Sequence, residues 1–153
     1  MIAKVTYKGD LRNEALHLVT GSTIELDAPK DNQGKGEAFA PTDLVAATTA
    51  ACMMAIMDLY ARRHGLDLKG TTAAVEKTMD TNSRRIAEIK VTFEFPHGES
   101  FSTEHRQALE RTALDCPISR SLHPDLKQTL VFNWQQQQKA PHTCGCCCSG
   151  KAS

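Results

Sequence analysis

Six cysteines are the residues of this 153-residue chain best suited to chemistry, and they fall into two groups. Cys52 and Cys116 lie in the body, whereas Cys144, Cys146, Cys147 and Cys148 crowd the last ten residues. Cys116 precedes Pro117, and proline favours the first position of a helix. The spacing therefore puts Cys116 at the N-cap of a short turn over Pro117–Leu122. Unpaired amide N–H groups and the helix dipole favour the thiolate there, and Arg120 could add positive charge. Cys52 sits mid-way along a longer apolar stretch and would need an Arg or His delivered by the fold. Two such thiols could meet as a peroxide-reducing pair, one oxidised to the sulfenic acid and the other condensing with it to a disulfide. Both could equally be small buried hydrophobes, as free cysteine commonly is.

The second group is a different problem. His142-Thr-Cys-Gly-Cys-Cys-Cys148 holds five soft or borderline ligands in seven residues, as a zinc or Cu(I) site would want. No second cluster completes a finger. Residues 135–153, opened by Gln135–Gln138, are low in complexity with almost nothing to bury, and read as a disordered tail with exchangeable thiols. A metal-handling or redox-sensing module in this tail is the rival to an enzyme in the body.

The elements that must position Cys52 and Cys116 follow from the pattern. Residues 2–7, 15–19 and 23–26 alternate as strands separated by turns at Gly9-Asp10 and Gly21-Ser22, giving an N-terminal antiparallel meander. Residues 27–39 carry Pro29, Asp31, Asn32, Gly34 and Gly36, a long loop of the kind that usually holds function or a partner contact. A helix follows from about Thr42 to His64, with Thr42 as cap, Asp43 at the positive end of the dipole and Arg62, Arg63 and His64 at the other. Gly65 is its natural stop. Its run from Leu44 to Met57 is apolar nearly all round, yet too short for a bilayer and interrupted by Thr48 and Thr49, so it is expected to be a core helix. Residues 71–78 and 85–95 form a hairpin about Asp80–Ser83. Ser102 or Thr103 caps a second helix of about a dozen residues, and residues 126–134 form a last strand.

This order gives an α+β fold with antiparallel sheets packed around a long central helix, in one domain over residues 1–134. A helix this apolar is hard to bury in so small a domain, and an intertwined homodimer with an apolar interface would solve that. Eighteen basic and 18 acidic side chains leave no net field, so neither nucleic acid nor membrane has positive evidence. The N-terminus lacks the pattern of a secretory signal, and the chain is expected to be soluble and cytoplasmic, where thiols stay reduced.

Two stretches carry a resemblance. Asp27-Ala-Pro-Lys-Asp-Asn-Gln-Gly-Lys-Gly-Glu-Ala-Phe-Ala-Pro-Thr-Asp-Leu-Val-Ala-Ala-Thr-Thr-Ala-Ala-Cys52 and Asp115-Cys-Pro-Ile-Ser-Arg-Ser-Leu-His-Pro-Asp-Leu126 resemble the OsmC/Ohr family of osmotically inducible and organic-hydroperoxide-resistance proteins, in its OsmC-like subgroup. The resemblance covers about residues 1–134. It implies an intertwined homodimer whose two sites draw on both subunits, and reduction of organic hydroperoxides by thiols, with a dithiol reductant and no haem, flavin or metal. It makes Cys52 the peroxidatic residue and Cys116 the resolving one, against the dipole argument. It also implies an arginine, here Arg12, paired with a carboxylate. The family's best-studied branch has a glutamate directly after the helix-start proline. That position here is Thr42, and the carboxylate is Asp43, one place later. His17 and Glu37 are further candidates near the site.

Overall fold

The computed structural model describes residues 1–134, and the tail candidates His142, Cys144, Cys146, Cys147 and Cys148 lie outside the described residues. Strands β1 (Ala3–Gly9), β2 (Arg12–His17) and β3 (Thr23–Asp27) form an antiparallel sheet in that order. β2 begins at Arg12 rather than Ala15, because Gly9 (φ 91°), Asp10 and Leu11 make a tight turn and the pairing resumes at once, Gly9 opposite Arg12. A loop with one 3-10 turn leads to helix α1 (Pro41–Arg63). β4 (Thr72–Asp80) and β5 (Arg85–Glu94) make the expected hairpin, and its turn is held by the Asp80 carboxylate, which accepts from the Asn82 amide (2.9 Å). Helices α2 (Thr103–Leu114) and α3 (Pro117–Ser121) precede the last strand, β6 (Lys127–Asn133). Ser102 caps α2 by accepting from the His105 amide (3.2 Å).

The α+β class is as expected, but the second sheet is not antiparallel throughout. β6 pairs with β5 in parallel, from Glu88 opposite Lys127 to Glu94 opposite Asn133. The physical reason is the connection. Between β5 and β6 the chain runs through α2 and α3, long enough to carry it back to the end where β5 began, as a parallel pair requires.

α1 starts one residue earlier than expected and is not capped by Thr42. Ala40 is the N-cap, Pro41 takes the first helical position at no hydrogen-bond cost, and the Asp43 carboxylate reaches back to the Ala40 amide (3.1 Å). The far end stops as expected: Gly65, at φ 66°, lets the Leu66 amide return to the Ala61 carbonyl (3.0 Å).

One face of α1 (Ala46, Thr49, Ala50, Met53, Met57, Ala61) packs with Ile89, Val91, Phe93 and Phe95 of β5 and the β5–α2 connection, and with Leu109 and Ala113 of α2. Phe93, Phe95, Phe132 and Trp134 extend this core as a row of stacked rings. The opposite face, with Val45, Ala51, Ala55 and Leu59, is exposed. The N-terminal sheet is more open still, with Val5, Tyr7 and Ile24 all exposed. Taken with its flanks, α1 is also longer and more apolar than the 44–57 run alone: 23 residues, with mean hydropathy 1.6 in its best window, pass a length-and-composition test for a membrane span. A third of that window is buried against the protein's own sheet and helices.

Met53 has no exposed surface and sits where α1 meets the β5 face. Met53→Ala is expected to destabilise the protein by about 2–5 kcal/mol, read as a lower midpoint in urea at an unchanged slope.

Candidate active site

Cys52 and Cys116 come together. Cys52 stands half-buried near the middle of α1, on the border between its packed and its exposed face. Cys116 is the N-cap residue of α3, fully buried in the core with Cys52 packed against that core. Both are free thiols. The short helix that carries Cys116 is fixed to β6 by two bonds through Ser119. Its hydroxyl donates to the Gln128 amide oxygen (2.5 Å), and Gln128 Nε2 donates to the Ser119 carbonyl (3.2 Å).

The helix end does not make Cys116 an acidic thiol. Burial pushes its pKa up, a hydrogen bond with Cys52 pushes the same way, and the Ile118 and Ser119 amides pull back only in part. Neither amide closes a capping bond to the sulfur. A thiolate needs solvation more than one turn of helix can supply, so desolvation outweighs the dipole. Arg120 does not redress this. It is exposed and paired with Asp115 (3.4 Å).

Arg12 and Asp43 are not brought together. Arg12 opens β2 opposite Asp27 and pairs with Glu37 of the long loop (3.1 Å). Asp27, 1% exposed, organises that loop: its own amide donates to the Phe39 carbonyl (3.1 Å), and its carboxylate accepts from the Glu37 amide (3.0 Å). That amide is the main cause of a pKa below the usual carboxylate range, against the opposing effect of burial, and the Arg12 charge helps. Asp43 instead pairs with Lys77 of β4 (2.7 Å), whose ammonium also donates to the Thr42 hydroxyl (2.7 Å). The Lys77 hydrogen bond is the largest reason that Asp43 titrates below its ordinary value. Glu37 and Asp43 line one cleft together with Glu25 and Phe39. Asp43 lies nine residues before Cys52, about 13 Å along the helix, and does not touch the thiol. His17 hydrogen-bonds Thr20 (2.7 Å) at the far end of β2 from Arg12.

Sequence reasoning missed Asp27 and Lys77. The signal for Lys77 was a lysine at the inward-facing register of β4, after Ala73 and Val75; Asp27 had none beyond its place at the end of a strand. Among the described residues no three His, Cys, Asp or Glu side chains gather as a metal site.

This arrangement can be set beside known proteins. The family model for OsmC-like proteins matches residues 34–131, which takes in α1 with Cys52, α3 with Cys116 and most of β6. The chain belongs to the OsmC-like family. The crystal structure of a proposed osmotic stress induced and detoxification response protein from Psychrobacter arcticus is 43% identical, with a TM-score of 0.84 over 87% of this chain and 96% of that one. An organic hydroperoxide resistance protein from Legionella pneumophila shares the fold at 19% identity (TM-score 0.68; 86% of this chain, 95% of that one). So does OhrB of Bacillus subtilis at 18% (0.57; 87% and 98%). No curated protein sequence matches the chain.

Asp43 gives a pH test. Its folded pKa is depressed below the ordinary value of 3.8, so its contribution is present above that pH and lost as pH falls through the folded value. Asp43→Asn is expected to lower stability at neutral pH, and the gap to wild type should close as unfolding is repeated toward pH 3.

Proposed function

We propose that this OsmC-like protein reduces organic hydroperoxides through Cys52 and Cys116. The observation that carries the reading is the pairing of a half-exposed thiol with a fully buried one, delivered by two helices far apart in sequence. Attack by the Cys52 thiolate on the distal peroxide oxygen breaks the O–O bond, releases the alcohol and leaves Cys52 as the sulfenic acid. Cys116, kept protonated by burial, condenses with it to a disulfide and water. An external dithiol then restores both thiols, without haem, flavin or metal. Such chemistry fits a reducing compartment such as the cytoplasm.

Arg12 is the proposed cation of the site, and Glu37 rather than Asp43 its carboxylate partner, because the 3.1 Å pair supports that assignment. Asp43 and Lys77 then serve to fix the start of α1. A homodimer completes the reading. Val45, Ala55 and Leu59 form an uncovered apolar seam that passes Cys52, and a second copy laid on it would bury the seam and the open N-terminal sheet.

The chemistry is tested with cumene hydroperoxide and a dithiol. Cys52→Ser is expected to lower consumption by at least about a hundredfold. Cys116→Ser should still oxidise Cys52 but form no 52–116 disulfide on peptide mapping. A wild type that consumes no peroxide with any dithiol overturns the reading. For the assembly, light scattering should give twice the 16.8 kDa chain mass, and Ala55→Arg, at the centre of the seam, should give the monomer.

A further inference from the structure

A disulfide between Cys52 and Cys116 would be hard to reopen from solution. Cys116 has no exposed surface, so an incoming thiolate can reach only the Cys52 sulfur. Attack there must expel Cys116, whose thiol is pushed up by burial, and a high-pKa thiol is a slow leaving group. A dissolved monothiol meets both obstacles at once. A thiol on the same chain meets them at an effective concentration of about millimolar.

The chain carries such thiols in Cys144, Cys146, Cys147 and Cys148, and its length lets them reach. Ser119 binds Gln128, which places α3 and Cys116 beside the beginning of β6. Trp134, the last described residue, is six positions further along, about 20 Å at the rise of a strand. The ten residues from Trp134 to Cys144 can span up to about 35 Å. A second thiol stands beside the first in Cys144-Gly-Cys-Cys-Cys148, which matters because a mixed disulfide is released only when a neighbour attacks it.

On the hydroperoxide-reductase reading of the Cys52–Cys116 pair, we propose that the C-terminal cysteines are a tethered dithiol that re-reduces that pair. A tail thiolate attacks Cys52 Sγ. The 52–116 bond breaks, its electron pair leaves with Cys116 and is protonated, and a mixed disulfide joins the tail to Cys52. A second tail thiolate attacks the tail sulfur of that mixed disulfide and releases Cys52 as thiolate. Two electrons have passed from the tail to the pair, and the tail holds the disulfide. A small thiol such as glutathione reduces it in turn, two thiols being oxidised to one disulfide.

The test does not depend on peroxide. The full chain and a variant with all four tail cysteines changed to Ser are oxidised with excess diamide, freed of it, and given glutathione at about 0.1 mM, tenfold below the tethered concentration. Loss of the 52–116 disulfide is followed by acid quench, alkylation and peptide mass mapping. Loss at least about tenfold faster in the full chain is expected, and equal rates overturn the proposal. In Cys116→Ser, mild oxidation should join Cys52 to the tryptic peptide 140–151. Recovery of Cys52 only as its glutathione adduct, with glutathione present, overturns it as well. Peroxide consumption by the full chain and by the four-serine variant is measured separately in a single turnover. Its absence from both proteins would remove the peroxidase reading, while the diamide comparison still decides the role of the tail.

Discussion

The contact between a thiol on the border of α1 and a thiol buried at the head of α3 is the constraint on which the rest of the structure depends. For Cys52 to lie half-open, α1 must have one face on β5 and one face uncovered, and its Ala and Met positions give it that division. For Cys116 to lie fully buried, α3 must be drawn down onto β6, which the Ser119–Gln128 pair accomplishes. The parallel placement of β6 follows from the same requirement, because only a crossover through α2 and α3 brings Cys116 to the side of α1.

The same contact separates the two thiols chemically. Helix α3 is too short, and Cys116 too deep, for the dipole to hold a thiolate against the loss of water. Burial therefore keeps Cys116 a thiol rather than a thiolate. Cys52 has the access that Cys116 lacks. Identical side chains meet different surroundings because they lie on opposite sides of one packing boundary.

Much of this was legible in the residues. Pro117 fixes one helix start, Gly65 fixes an end, and Ser102 caps α2, because each has a local physical reason to stand where it does, whereas the α1 cap read at Thr42 falls at Ala40. The order of strands and helices gave the α+β class, and the two cysteine-bearing stretches gave the family. What could not be read was non-local. The direction of β6 depends on where a long connection returns, and the depth of Cys116 depends on β5 and β6 packing beneath it. The pairing of Asp43 with Lys77 joins positions 34 residues apart, so composition around Asp43 suggested only a dipole partner. Arg12 was identified by likeness, yet its carboxylate turned out to sit in the loop at Glu37, where Asp27 holds the backbone.

That loop shows how a departure at one helix position can be absorbed elsewhere. With Thr42 after the helix-start proline, the helix end offers a hydroxyl and, one residue on, a carboxylate turned toward the Ala40 amide and Lys77. An arginine meeting Lys77 there would face a like charge. Glu37 removes the conflict, since it reaches Arg12 from a backbone fixed by the buried Asp27 rather than by the helix. Two separate ion pairs result: Lys77 with Asp43 fastens the start of the helix that carries Cys52, and Arg12 with Glu37 joins β2 to the long loop. The two pairs share no residue, so loss of the first should be felt at the start of α1 and loss of the second in the placement of the loop.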